Sequence, residues 1–146
     1  MTVHKSPPPV KSEIIINGKK LEQVENFKLL GHTVTSDGRC EEEIKIRIAM
    51  AKSNFNSFRK ILTCRKISLT LRLRLTKAYV WSTLLYCCEV WTITSVIEKK
   101  IAAFEMWCYR RILRISWMEW KSNDEVLQML GTKRCLLNNI MTRQLK

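Results

Sequence analysis

Two rows of basic residues are what this chain offers to chemistry. Lys45, Lys52 and Arg59 recur every seven residues, and Lys100, Arg110, Arg111 and Arg114 gather around Trp107 in and beside the stretch AFEMWCYRRILRISW. On a helix of 3.6 residues per turn each set falls along one flank. Ammonium and guanidinium groups in rows suit the oxygens of a polyanion, and the planar guanidinium fork can donate to phosphate through two N–H groups at once. For Lys45, Lys52 and Arg59 the spacing leaves a solvated row and a phosphate-facing row equally open. Trp107 also has two readings. The favoured one packs it against a neighbouring helix beneath the arginine stems; the other lays it against a sugar or base.

Two other sets are weaker. Glu41, Glu42 and Glu43 are adjacent, so on a helix they point in different directions, whereas the positive end of a helix dipole accommodates all three. They mark a helix start rather than an acid–base or metal site. The six cysteines, at positions 40, 64, 87, 88, 108 and 135, include no Cys-x-x-Cys pair, and both histidines, His4 and His32, lie near the N-terminus. Reduced core thiols are expected, with no metal site.

The formal charge is +13 over 146 residues, and its placement matters more than its sum. Residues 45–114 hold fifteen basic and three acidic side chains, against six and seven in 1–44 and five and three in 115–146. A field concentrated in this way suits nucleic acid ahead of an anionic membrane surface, with a merely solvated basic face as the alternative. A hydrophobic share of 46% is enough for a folded core rather than disorder. The start MTVHKSPPPV lacks the apolar stretch of a secretory leader. The longest nearly apolar run, Ala78 to Cys88, is far short of the ~20 residues that span a bilayer. A soluble, intracellular protein without a membrane partner is expected, nucleus and cytoplasm both remaining open.

The elements that position these residues read as mainly α, with a small N-terminal antiparallel β element. Residues 1–12, with Pro7, Pro8 and Pro9, are expected to form an extended, disordered linker. Residues 13–36 hold a hairpin, turning at Asn17-Gly18 between EIII and KKL, followed by a strand Phe27 to Thr35 in which Gly31 signals a bulge or a close backbone approach. Residues 40–121 form a helical bundle. Its first helix opens near Cys40 with the core stripe Ile44, Ile48, Ala51, Phe55, Phe58 and Leu62. Ser68 caps a central helix running from Leu69 to about Tyr86, apolar on nearly all sides, and Glu89 beyond it is expected to pair with an arginine or cap amides. Ser95 and Glu98 stand as a capping box before a third helix. That helix buries Ile97, Ile101, Phe104, Cys108, Ile112 and Ile115, and Met106, Tyr109 and Leu113 form a second apolar edge. In 122–146, Ser122 and Glu125 repeat the box, Gly131 ends the short helix, and Leu136, Leu137, Ile140, Met141 and Leu145 run through a last amphipathic piece that is expected to continue beyond the chain.

With these residues in view, the chain resembles the C-terminal portion of reverse transcriptases of non-LTR (LINE-type) retrotransposons, of the endonuclease-reverse transcriptase kind. The likeness rests on ordered blocks: EQVENFKLLGHTVTSDGRCEEEIKIRI, RKILTCRKISLTLRLRL, YVWSTLLYCCEVWT, AFEMWCYRRILRISW and NDEVLQMLG. It implies a thumb-like helical bundle joined to a primer-grip-like strand, to which Phe27, Lys28, Leu30 and Gly31 correspond. Leu29 stands where the family usually has tyrosine, His32 where it has a small residue, and Cys87 where a Tyr-Gly-Cys-Glu-x-Trp pattern has glycine. Such changes fit a drifted copy.

Nucleotide transfer in that family uses two divalent ions, Mg2+, held by clustered aspartates of a palm domain. This chain has only Asp37, in a Ser-Asp-Gly turn, and Asp124, at a helix start. A palm is expected before residue 1, and no catalytic residue or cofactor is expected in this chain by itself. The implied function is non-sequence-specific contact with the backbone phosphates of an RNA–DNA hybrid or duplex DNA, through Lys45, Lys52, Arg59, Lys100, Arg110, Arg111 and Arg114, with Trp107 beside them. A protein–protein interaction module derived from a mobile element, or a remnant without selected function, are the alternatives.

Overall fold

Asn17 and Gly18 take positive φ, 50° and 72°, and so close a two-residue turn between β1 (Ile15–Ile16) and β2 (Lys19–Lys20), as the Asn-Gly signal predicts. The computed structural model describes residues 14–22, 24, 26–35, 40–116 and 118–145, so the proline tail, the Ser36-Asp37-Gly38 turn and Trp117 lie outside the described residues. Residues up to Cys40 form one unit and those from Glu41 onward another.

The expected single strand over Phe27 to Thr35 is instead a second hairpin. β3 (Asn26–Leu29) pairs antiparallel with β4 (His32–Thr35), Phe27 opposite Val34 and Leu29 opposite His32. Leu30 and Gly31 form its turn with φ of 49° and 78°. Gly31 therefore marks the second turn position rather than a bulge, and positive φ there costs glycine nothing. Residue types do not signal this reversal, because leucine, at its first position, rarely adopts the left-handed region.

The second unit is helical throughout, which places the chain in the mainly α class with a small antiparallel β element. α1 (Glu41–Ser57) opens on its three glutamates as expected and buries Ile44, Ala51 and Phe55. It does not run on as one stripe: the chain bends after Ser57 into α2 (Arg59–Leu62), leaving Phe58 exposed and Leu62 buried. Glu43 is buried too, its carboxylate accepting from Arg47 Nε at 2.6 Å, so this glutamate serves an internal ion pair rather than the dipole alone.

Ser68 caps α3 (Leu69–Leu75), accepting from the Leu71 amide. The helix then passes through a wide π turn, Thr76–Trp81, before α4 (Ser82–Leu84). The extra residue per turn brings Val80, Trp81 and Leu84 inward and leaves Leu71, Ala78, Tyr79 and Tyr86 at the surface. The segment is thus one-sided rather than apolar all round, and two polar residues, Arg72 and Thr76, occupy its buried side. Arg72 donates to the carbonyls of Ile67 and Ile112, the latter at 2.7 Å, satisfying a carbonyl near the end of the next long helix.

That helix, α5 (Ser95–Leu113), starts one residue earlier than predicted. Thr94 rather than Ser95 is the cap, its hydroxyl accepting from the Ile97 amide, and the Ser95/Glu98 box does not form. Ile97, Ile101, Phe104, Cys108 and Ile112 are buried as expected, and Met106 and Tyr109 are buried as well instead of forming an edge. The helix stops at Leu113, where Arg114 turns left-handed at φ 58°, so Arg114 and Ile115 leave the stripe. α6 (Asn123–Leu130) carries the predicted box in full: Ser122 N donates to Glu125 Oε2 at 2.6 Å, Glu125 N donates to Ser122 Oγ, and Gly131 ends it at φ 60°. α7 (Leu136–Gln144) buries Leu136 and Ile140, and α6 and α7 both pack on α5 in one unit with the earlier helices. Among the described residues no helix is long and apolar enough to cross a membrane.

Candidate nucleic-acid interface

Trp107 is the hub of the basic surface. It lies half-buried on α5, edge-on to Phe55 of α1 with ring centroids 5.1 Å apart and stacked beside Phe104 at 6.1 Å. The Arg111 guanidinium covers its ring at 4.3 Å and the Lys52 ammonium stands 5.6 Å from its centroid. Both features of the packed reading are present, a neighbouring helix and covering cations.

An open groove of about 1040 Å³ runs between α2 and the C-terminal half of α5. Arg59 and Lys60 line one side; Trp107, Arg110, Arg111 and Arg114 line the other, and among the described residues no Asp or Glu faces into it. Arg59 comes from the helix that begins where α1 bends, and Arg114 from the left-handed residue that ends α5. Their meeting therefore depends on two chain breaks that the periodicity does not reveal. Among the described residues, none of these cations has a carboxylate within salt-bridge distance.

A second groove of about 390 Å³, between α1 and the N-terminal half of α5, brings together Lys45, Lys52, Lys100 and Trp107 over Phe104. Its charge is partly spent within the fold. Lys45 Nζ donates to Glu42 at 2.6 Å, a bond that holds the ammonium above its ordinary pKa, and Lys100 Nζ reaches Glu41 at 2.5 Å across the α1–α5 boundary. Lys45 is thus a local i,i+3 pair and Lys100 a helix-to-helix tie, whereas Lys52 keeps its charge for Trp107 and solvent.

Arg110 has a further duty. Its Nη2 donates to the Lys121 carbonyl at 2.8 Å and to Asn123 Oδ1 at 3.0 Å, fastening the start of α6 to α5. Lys60, a groove cation outside the sequence-predicted set, adjoins Arg59 and so does not fall on a seven-residue row.

The primer-grip-like residues belong to the other unit. Phe27 and Lys28 lie on β3, and Leu30 and Gly31 form the turn, with Phe27 and Leu30 both exposed. Glu89, read as an arginine partner, stands 3.7 Å from Arg143 Nη1 of α7. Of the cysteines, only Cys88 and Cys108 are buried; Cys40, Cys64, Cys87 and Cys135 are half-buried, and none is in a disulfide. Burial pushes the Cys108 thiol up to about 12. Among the described residues no group of His, Cys, Asp and Glu is arranged to hold a metal ion. Comparisons with protein-family models, curated proteins and solved structures give no significant match to this chain.

Proposed function

We propose that the chain is a nucleic-acid-holding module, the thumb-like portion of a reverse transcriptase of the non-LTR retrotransposon kind. It grips backbone phosphates of a primer–template duplex without reading sequence, and it depends on a palm domain of the same polyprotein for nucleotide transfer. The observation that carries the phosphate-binding part is the groove lined by Arg59, Lys60, Arg110, Arg111 and Arg114, which no carboxylate among the described residues faces. Arginine forks held in a concave, acid-free surface suit phosphate oxygens at close range. The polymerase part rests on the ordered sequence blocks, and it assigns the chain holding rather than chemistry, since its aspartates are Asp37 and Asp124 alone.

The test is binding of RNA–DNA hybrid and of duplex DNA across a salt series. With about six phosphates engaged, log affinity against log salt has a slope near −5, and affinity falls on the order of 10³-fold between 50 and 200 mM salt. A slope near zero rejects the proposal.

One observation favours a second reading, a protein-interaction module. Met118 and Trp120, between α5 and α6, are 80% and 95% exposed. Large apolar side chains presented this openly suit a protein partner. Concentration-dependent association abolished by Trp120→Ala, together with no affinity for nucleic acid, would favour this reading over the first.

A further inference from the structure

Another groove, of about 490 Å³, lies beside α5 on the side that faces α6 and the loop before α7. Lys99 and Met106 of α5 line it with Asn123 and Arg134, while the crest residue Trp107 is shared with both other grooves and Arg110 borders this groove and the one against α2. Helical geometry separates the two sides. At about 100° per residue, Phe104 and Arg111 turn from Trp107 toward α1 and α2, and Lys99, Met106 and Arg110 turn the other way. Ala103, one turn before Trp107, continues the crest and is small and exposed.

Both flanks are held to α5 by bonds that fix their spacing. On the α1 side these are the Phe55–Trp107 edge contact and the Lys100–Glu41 pair. On the far side the buried Glu105 carboxylate accepts from the amides of Cys135 and Leu136 at 2.9 and 3.2 Å, which anchors the loop bearing Arg134. Arg110 fastens Asn123 beside it. Among the described residues neither Lys99 nor Arg134 has a carboxylate partner.

We propose that α5 is a ridge that seats in a groove of a nucleic-acid duplex, with one phosphate row held by Arg59, Lys60, Arg111 and Arg114 and the other by a second site made of Lys99 and Arg134. This rests on the nucleic-acid reading above and deepens it by naming the second strand's site. A helix with its side chains is about 10–12 Å across and the major groove of B-form DNA about 12 Å wide, so in a DNA duplex phosphates of both strands come to lie along its two sides. The low crest at Ala103 leaves room for the groove floor. A single strand offers one phosphate row and engages only the more basic flank.

Two double variants test this, Arg59→Ala/Lys60→Ala and Lys99→Ala/Arg134→Ala, all four residues being exposed, with urea unfolding to confirm an unchanged fold. Each is measured against a short duplex and against oligo(dT) of equal length. Lys99→Ala/Arg134→Ala is expected to lower duplex affinity about tenfold and to reduce the salt slope by about two, with oligo(dT) binding unchanged. Arg59→Ala/Lys60→Ala is expected to weaken both. Wild-type duplex affinity in Lys99→Ala/Arg134→Ala, or an equal loss on both probes, overturns the ridge proposal while leaving phosphate binding intact. Failure of the unaltered chain to bind either probe overturns the parent reading instead.

Discussion

The Arg111 guanidinium lies 4.3 Å from the centroid of the Trp107 ring, whose edge contact with Phe55 ties α5 to α1. One indole thus joins two helices and steadies a cation of the basic groove. Trp107→Ala is expected to destabilise the helical unit by about 2–3 kcal/mol, less than a fully buried Trp because the ring is half-buried. Trp107→Phe, which keeps a ring under Arg111, is expected to cost about 1 kcal/mol. Urea unfolding of both variants measures the difference, and equal losses would show that the ring's π face does nothing for stability.

Glu105 is buried and accepts at one oxygen, Oε1, from the Tyr109 hydroxyl and from the Cys135 and Leu136 amides. Glu105→Ala leaves these donors without their acceptor, with an expected cost of about 3 kcal/mol. The effect is local in its first stage. Hydrogen exchange over Leu136–Gln144 is expected to accelerate before that of α1, because the carboxylate is what caps the N-terminal end of α7.

Cys87 and Arg114 both hold left-handed backbone, at φ 57° and 58°, a region that is unfavourable for residues bearing Cβ. Replacing either with glycine is expected to stabilise the fold by about 0.5–1 kcal/mol, net of the greater freedom of the unfolded chain. The two variants diverge in function. Arg114→Gly removes a groove cation and is expected to reduce the salt slope of duplex binding by about one, whereas Cys87→Gly leaves binding unchanged.

Alkaline pH is expected to weaken the fold through Cys108. Burial raises this thiol to about 12 in the native state from an ordinary 9.0, with the Glu105 charge adding to the effect. The unfolded chain therefore releases its proton first. The stabilisation is fully present below pH 9 and is lost as pH rises toward 12, at about 1.4 kcal/mol per pH unit for this group. Tyr109, raised by burial and by Glu105, adds a loss of the same sign beginning higher. Cys108→Ala is expected to flatten the decline between pH 9 and 10; an unchanged profile would show that this thiol does not govern it.

Local chemistry was legible at most points where it is complete within a few residues. Asn17-Gly18, the Ser68 cap and the Ser122–Glu125 box with Gly131 stand as the residues predict, because each satisfies its own neighbouring backbone, and the glutamates open α1; the equally local Ser95–Glu98 box does not form, because Thr94 takes the cap. The core stripe of α5 was legible for a related reason: a 3.6-residue period places its members on one face whatever they pack against. The Leu30-Gly31 turn and the halt at Arg114 were not legible, since both put a side-chain-bearing residue in a region that propensity disfavours.

The sequence by itself determined the helical class, the major helices and the confinement of positive charge to the middle of the chain. Tertiary structure alone decided which charges are available outside. Glu43, Arg47, Arg72 and Glu105 look like surface residues in the sequence, yet all are buried. Arg72 finds its carbonyl forty positions away and Glu105 its amides thirty and thirty-one away, distances over which periodicity carries no information. In the same way, Glu41 draws on Lys100 of a facing helix, while Arg59 and Arg114, on separate helix ends, meet across one groove into which no carboxylate among the described residues faces. Spacing sets the face of a helix a cation occupies and its partners within that helix; the packing of one helix on another sets whether a carboxylate from elsewhere is waiting there.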